Sequence, residues 1–219
     1  KKDAQQKLID SLHEKEVLLK EVHHRVKNNL QVISSILNLQ SDHVGGDPRI
    51  IELLRDSQAR IRSMSFIHES LYQRKDFNSV DLGAYIDGLA RNLMMSYSLS
   101  GKVALDSEVE AVELGLDQAI PCGLMLNELI SNALKHAFKD GRAGTIALRV
   151  SRVGQEVRIV VGDDGEGLPN GFDMERDANL GLQLVSTLIG QLDGRIEREG
   201  LAGTRFAISF TLAPVRIPK

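Results

Sequence analysis

The stretch from residue 127 to residue 138, NELISNALKHAF, decides the fold because it carries an apolar side and a polar side on one predicted helix. The apolar side consists of Leu126, Leu129, Ile130, Ala133 and Ala137, which recur at helical spacing. The polar side consists of Glu128, Asn132, Lys135 and Lys139. A carboxylate, an amide oxygen and an ammonium group in one row suit hydrated Mg²⁺ with phosphate, because Mg²⁺ takes few hard oxygen ligands. For this stretch alone, an ordinary charged outer face of a helix is the stronger interpretation.

Outward from this helix, the second half of the chain alternates helical and strand patterns. Helices are predicted at Asp81 to Tyr97, with Asp81 as the cap, at Asp117 to Phe138 and at Leu180 to Leu192. Strands are predicted at Lys102 to Val109, Gly144 to Val153, Glu156 to Val161, Arg195 to Arg198 and Thr204 to Leu212, with a hairpin turn at Gly154-Gln155. Strands interleaved with long helices indicate a two-layer α/β sandwich.

The first half has another pattern, since only two of the 19 glycines precede residue 76. Apolar residues at helical spacing predict one long amphipathic helix, and its core-facing stripe is Leu19, Val22, Val26, Leu30 and Ile33. Gly45-Gly46-Asp47-Pro48 breaks this helix, and a second amphipathic helix returns. Because two helices form a thin core, we expect two copies of the chain to build a four-helix bundle, with a monomer as the alternative.

The two halves together predict an α+β chain. Residues 1–76 form an N-terminal antiparallel helical hairpin, and residues 77–219 form the two-layer α/β sandwich. The boundary lies in the polar stretch from Arg74 to Asn78.

Composition excludes several classes of protein. With 42% hydrophobic residues the chain is not disordered, and its net charge of -3 gives no reason to expect nucleic acid or an anionic membrane as partner. One cysteine excludes a disulfide framework and a cysteine zinc cluster. The apolar runs are shorter than the roughly 18 to 20 residues of a membrane span. We therefore expect a cytoplasmic protein without a membrane segment in this chain, and a fragment, because the chain starts without Met.

A polar cluster interrupts the first helix at Glu21-Val22-His23-His24-Arg25-Val26-Lys27-Asn28. At about 100° per residue, His24 lies roughly 160° from the centre of the apolar stripe and is predicted to point to solvent. Glu21 and Asn28 share its face, one turn before and one turn after it. The alternative is a solvated polar face with a flanking histidine. A zinc site is disfavoured because no second ligand pair has suitable spacing.

A strand runs into an acidic glycine loop at Val160-Val161-Gly162-Asp163-Asp164-Gly165-Glu166-Gly167. Glycines allow close approach of the backbone to a flat ligand, and a carboxylate at the strand end can accept a hydrogen bond from an exocyclic amine. A Walker phosphate loop and an EF-hand fail on residue type and spacing, and a plain hairpin turn is the alternative. Two further segments are Gly181 at the start of an apolar helix, where free N–H groups bind anions, and a turn before Thr204.

In order and spacing, these five segments resemble the sensor histidine kinases with their Bergerat-type ATP-binding domain. Residues 127–136 resemble the asparagine box, residues 163–167 the Asp-x-Gly-x-Gly box, and residues 180–185 with Gly203-Thr204 the later glycine boxes. The segment HRVKNNL at 24–30 resembles the subclass with Arg after the histidine, related to the HWE kinases. The resemblance covers nearly the whole chain.

The resemblance implies a Mg-ATP site and a phosphoacceptor histidine. Asn132 would coordinate Mg²⁺, Lys135 and His136 would face phosphate, and Asp163 would accept from the adenine amino group. The pocket would be shaped by Gly165, Gly167, Gly181 and Leu182, with Thr204 assisting at the adenine. His24 would take the phosphoryl group and pass it to an aspartate of a response-regulator receiver domain. An upstream sensor domain is implied if the chain is a fragment.

The chain departs from the family pattern in three places. Arg25 stands where the commonest form has an acid, so Glu21 is the candidate for the orienting group or base, and Asn28 is placed to position a water for phosphatase action. Asn179 replaces the first glycine of a Gly-x-Gly-Leu box, and the lid between Pro169 and Leu180 is short. Asn127 stands where the HWE subgroup has His.

Two other classes of function stay open at this point. One is a phosphotransfer or interaction adaptor that keeps the fold and does not use ATP. The other is a Bergerat-fold ATPase, such as a chaperone or topoisomerase module, in which Glu128 would activate water. The hairpin with His24 favours the kinase.

Overall fold

The computed structural model describes residues 2–43, 47–72, 79–97, 102–138, 141–169, 171–174, 176–200 and 203–213. Within α-helices some side chains fall outside this description, among them those of His23 and His24. The chain divides into two compact units, residues 1–77 and residues 78–219.

The first unit is a helical hairpin of α1 (Lys2–His43) and α2 (Pro48–Tyr72). The predicted break falls between them, and residues 44–46 lie outside the described residues. A polar contact joins the two helices, because the buried Gln58 donates from Nε2 to Asn38 Oδ1 at 2.9 Å. The prediction of an antiparallel pair of amphipathic helices is therefore confirmed.

The predicted core-facing stripe of α1 is only partly covered by α2 within the single chain. Val26 and Leu30 are half-buried, but Val22 is 52% exposed and Ile33 is 44% exposed. The physical reason is that one partner helix covers only part of the circumference of another. Further exposed apolar side chains follow along the hairpin at Val32, Ile36, Leu39, Ile50 and Leu53.

The second unit contains the remaining helices and strands of the described chain. They are β1 (Val80–Asp81), α3 (Leu82–Ser96), β2 (Val103–Val109), β3 (Glu113–Leu114), α4 (Leu116–His136), β4 (Gly144–Val153), β5 (Glu156–Asp163), α5 (Leu180–Gln191), β6 (Arg195–Arg198) and β7 (Thr204–Thr211). The five-stranded sheet has the order β2-β4-β5-β7-β6, with β2 parallel to β4 and the other pairs antiparallel. The predicted α+β class is confirmed.

The core of this unit lies between the sheet and helices α3, α4 and α5. Alternate residues of β4 and β5 are buried, as expected for a sheet with one buried face, and they include Ile146, Leu148, Val157 and Ile159. In β7 the consecutive residues from Phe206 to Phe210 are all buried. Asp81 caps α3 as predicted, accepting from Ala84 N at 3.3 Å. Within the described residues no helix has the length and apolarity of a membrane span.

The sequence missed two features here. Strands β1 and β3 pair with each other but are only two residues long each, too short for a periodicity. Glu128 was predicted on an outer polar face, but it is only 5% exposed. Helix α4 packs against α3, α5 and β5, so little of its circumference meets solvent.

Candidate functional site

A cleft of about 440 Å³ opens in the second unit. It lies between α4, the loop that follows β5, the start of α5 and the start of β7. The sequence-predicted residues that line it are Asn132, His136, Asp163, Gly167, Leu182 and Thr204. Side chains that lie up to 72 positions apart in the chain, from Asn132 to Thr204, therefore meet at one place.

The inner wall of the cleft is apolar. Leu129 and Ala133 of α4, Val161 of β5 and Phe206 of β7 are all buried and line it. The polar groups, by contrast, are few and come from separate elements. Apolar walls with a small number of placed polar groups are typical of a pocket for a small organic ligand, where the walls supply binding energy and the polar groups set orientation.

Asp163 is the fixed acceptor of this cleft. Its Oδ1 accepts from the backbone N–H of Gly165 at 3.0 Å and of Thr204 at 3.3 Å, and the Thr204 hydroxyl also bonds to the carboxylate. Partial burial is the largest influence on its pKa and raises it, against the lowering effect of these hydrogen bonds. An ionised carboxylate has about four acceptor positions, so Asp163 can still accept from a ligand amine.

The neighbouring acid has a different environment. Asp164 is exposed, and its Oδ1 accepts from the backbone N–H of Thr145 at 2.7 Å. The Asp164 backbone N–H in turn donates to Thr145 O at 3.3 Å, which ties the loop to the start of β4. Asp164 does not line the cleft. The two acids of the motif therefore lie in different environments, since Asp163 lines the cleft and Asp164 attaches the loop to β4.

Two glycines of the loop are required by geometry. A Cβ at Gly165 would lie 2.4 Å from Ala137 O, which no side chain tolerates. Gly167 has φ of +76°, and a Cβ there would lie 2.8 Å from Gly203 O. The loop is further attached to the end of α4 because Glu166 N donates to Ala137 O at 3.3 Å.

Four predicted site residues of the second unit stand outside the cleft lining. Gly165 packs against the backbone after α4, as described above. Gly181 is buried in the first turn of α5, Lys135 is half-buried near the end of α4, and Glu128 is buried within α4. Lys135 and Glu128 each have an interaction with other residues.

The sequence did not identify Asn179 as a site residue, yet its side chain lines the cleft. Asn179 is the N-cap of α5, and its Oδ1 accepts from Leu182 N at 2.9 Å. The signal that could have found it is positional, because Asn is a preferred N-cap residue and directly precedes an apolar helix. The sequence also left out the apolar walls at Leu129 and Phe206.

The predicted histidine segment lies on α1 in the first unit. The side chain of His24 lies outside the described residues, so its predicted direction stays a prediction. Glu21 is exposed and pairs with Arg25, with 2.9 Å between its Oε1 and the arginine Nε. Asn28, one turn after His24, is exposed.

Comparison with known proteins gives matches to both units. Residues 21–97 match the family described as "Histidine kinase". Residues 118–214 match the family described as "Histidine kinase-, DNA gyrase B-, and HSP90-like ATPase". The first match contains the histidine segment, and the second contains every residue of the cleft.

Individual proteins are similar over most of the chain. Sensor histidine kinase PdtaS of Mycobacterium tuberculosis is 34% identical over 191 residues, which are 85% of this chain and 37% of the relative. Blue-light-activated histidine kinase 2 of Erythrobacter litoralis is 30% identical over 201 residues, 89% of this chain and 57% of the relative. The chain thus spans less than two thirds of the length of either relative.

A solved structure is similar in fold to this chain. It is the histidine kinase domain from Erythrobacter litoralis EL346 blue-light activated histidine kinase, with a TM-score of 0.66 and 29% sequence identity. The match covers 93% of this chain and 94% of that one.

Proposed function

The chain belongs to the histidine kinase family, and from that premise we propose that it is the catalytic core of a two-component sensor kinase. In this proposal it phosphorylates its own His24 from Mg-ATP and passes the phosphoryl group to an aspartate of a response-regulator receiver domain. The observation that carries the proposal is the cleft, which collects Asn132, Asp163 and Thr204 around apolar walls.

The two units would divide the reaction. We assign histidine phosphotransfer and dimerisation to the hairpin in residues 1–76, and ATP binding to residues 77–219. The proposal includes a cytoplasmic location. It also includes a sensor domain outside this chain, because both relatives are longer than the segment they share with it.

Adenine would occupy the apolar part of the cleft. Its exocyclic amine would donate to Asp163, whose carboxylate is held by two backbone N–H groups and so is oriented before the ligand arrives. Thr204 would assist at the same end. Gly165 would allow the loop to lie close to the end of α4, and Gly167 would allow it to lie close to Gly203. These two close approaches would shape the wall of the cleft beside the adenine.

The phosphate chain would extend toward Asn132 and the start of α5. Asn132 offers one amide oxygen inside the cleft, which fits Mg²⁺ because that ion is held by one or two protein oxygens together with substrate phosphates and water. Bound there, Mg²⁺ would offset charge on the phosphate oxygens. His136, which lines the cleft, and Lys135 are the proposed phosphate partners, with the backbone around Gly181 and Leu182.

In the reaction the unprotonated ring nitrogen of His24 attacks the γ-phosphorus. A nitrogen–phosphorus bond forms, and the bond from phosphorus to the β,γ-bridging oxygen breaks. ADP leaves with that electron pair, and the proton on the other ring nitrogen passes to a base. The imidazole must therefore be neutral when it reacts.

Glu21 is the proposed orienting group or base for His24. Its carboxylate already pairs with Arg25, the residue that replaces the commoner acid after the histidine. Asn28, exposed one turn later on α1, is the proposed residue for positioning water in phosphatase action on the receiver domain. Glu128 keeps a proposed catalytic role beside Asn132, although its burial argues against direct contact with bulk water.

A homodimer through the hairpin is the proposed assembly. The support is the row of exposed apolar side chains on both helices, from Val22 to Leu53, which a second hairpin would cover in a four-helix bundle. The match of residues 21–97 to histidine kinases supports the kinase over a related ATPase or a phosphotransfer adaptor, because that segment contains the proposed acceptor His24 and all of α2.

The test is autophosphorylation with γ-³²P-ATP. Wild type should acquire an acid-labile label, and His24→Gln should acquire none. His43→Gln is the matched control, because His43 is an exposed histidine on the same helix and should leave labelling intact. Label on His24→Gln would overturn the acceptor assignment. Steady ATP hydrolysis by wild type without labelled protein would instead select the ATPase.

A further inference from the structure

Asn179 occupies the position where the family pattern of Gly-x-Gly-Leu has its first glycine, so a side chain stands where the pattern provides none. The side chain lines the cleft together with Leu182, at the end of the cleft formed by the start of α5. Its backbone is extended, with φ of -68° and ψ of 172°, and it accommodates an ordinary residue. The replacement therefore introduces an amide group into the ligand space without requiring a special conformation.

The orientation of this amide is fixed by one hydrogen bond. Leu182 N donates at 2.9 Å to the Asn179 side chain, and a backbone N–H can pair only with the oxygen of an amide. The Nδ2 group, with its two donor hydrogens, must therefore point away from the backbone of α5. Among the residues that the structure describes, Nδ2 of Asn179 has no hydrogen-bond acceptor.

The same hydrogen bond changes what α5 can offer to an anion. In a helix that starts with glycine, the N–H of the third residue is open to a ligand. In this chain the N–H of Leu182 is already taken by Asn179. In exchange, Asn179, an exposed residue of the cleft lining, brings a new donor in its Nδ2 group.

We infer that Asn179 is a phosphate-contacting residue of the cleft. Its oxygen stays on Leu182 N, and its Nδ2 donates to an oxygen of the phosphate chain. This inference rests on the proposed function, since it requires that an adenine nucleotide occupies the cleft. It adds a side-chain phosphate contact at the start of α5 to those proposed for Lys135 and His136.

The contact can be separated from capping because Asn, Asp and Ser are about equally good N-caps. Asn179→Ser keeps the cap and removes the amide donor, and Asn179→Asp keeps the cap and replaces the donor with a charged acceptor. All three proteins should unfold at the same urea concentration. Calorimetric titration of each with adenosine, AMP, ADP and ATP then measures the contact alone.

We expect the three proteins to bind adenosine equally. A difference should appear with each nucleotide in the series AMP, ADP and ATP that carries the contacted phosphate. For those nucleotides Asn179→Ser should bind about tenfold more weakly than wild type, and Asn179→Asp roughly a hundredfold more weakly. If Asn179→Ser binds ADP and ATP as wild type does, Asn179 only caps the helix and the inference is wrong, whatever Asn179→Asp does. If wild type binds neither adenosine nor ADP, it is the proposed function that fails.

Discussion

Replacement of Asp163 by asparagine should strongly weaken nucleotide binding without weakening the fold. The substitution keeps size and shape, and the remaining amide oxygen can still accept from the N–H groups of Gly165 and Thr204. The adenine amine, however, would meet an NH₂ group or a neutral oxygen in place of a carboxylate. Loss of one hydrogen bond to a charged group, with a donor left unpaired, costs about 2 to 4 kcal/mol, or roughly 30- to 1000-fold in affinity.

Asp163→Asn should weaken binding but should not lower the free energy of unfolding. Burial raises the pKa of Asp163 in the folded state, so between its unfolded and folded pKa values the folded protein binds more protons. The stability associated with this group is therefore fully present below the unfolded pKa and is lost as the pH rises through the folded pKa. Asparagine does not titrate, so Asp163→Asn should be at least as stable as wild type at pH 7, with a smaller decline of stability above the acid range.

The assay is calorimetric titration with adenosine and ADP, together with urea unfolding between pH 4 and pH 8. Asp164→Asn is the matched control, because it removes one negative charge from the next residue, which lies outside the cleft lining and holds Thr145. It should bind both ligands as wild type does. Wild-type affinity in Asp163→Asn, or an equal loss in Asp164→Asn, would refute the assignment of Asp163 as the adenine acceptor.

Three further predictions concern packing and assembly. Gly165→Ala should destabilise the second unit by about 1 to 3 kcal/mol in urea unfolding, because its Cβ would meet a backbone oxygen at 2.4 Å, whereas Gly190→Ala, in open space on α5, should be neutral or stabilising. Gln118→Ala should cost roughly 1 to 3 kcal/mol by the same measurement, since its buried amide bonds to the backbone on both sides of the end of β7; an unchanged unfolding midpoint would contradict this. Ile36→Glu should shift sedimentation from dimer to monomer, while Met95→Glu, at an even more exposed apolar side chain of the second unit, should leave the dimer intact.

Most of the helices and strands could be predicted from local patterns in the sequence. The steps of three and four residues in α1, α2 and α4, and the alternation in β4 and β5, reflect contacts within one element, so they are visible in the sequence. The cap at Asp81 was found for the same reason. The pairing of β2 with β4 was not predicted, because Val103 and Gly144 meet across 41 residues of chain and no local pattern encodes that contact.

The histidine kinase motifs predicted six residues of the cleft and a role for each, but not the contacts that hold them. The motif already set Asp163 apart from Asp164, and the hydrogen bonds to Gly165 N and Thr145 N show how differently the two carboxylates are held. Glu128 and Asn132 fall on one predicted face, yet the first is buried and the second lines the cleft. A helical wheel orders residues around an axis, while burial depends on what packs against each side of it.

By itself the sequence determined two kinds of unit, a helical hairpin with one Gly-Gly break and a glycine-rich α/β sandwich, together with the chemistry of one nucleotide site. The tertiary structure decided which side chains meet in that site. In the folded chain Asn179 lies at the cleft, and a hydrogen bond from Leu182 N fixes the orientation of its amide. The backbone N–H of Thr204 donates to the carboxylate of Asp163. The physical reason is that helix and strand periods arise from neighbours along the chain, whereas a binding site is made by groups from separate elements that only packing brings together.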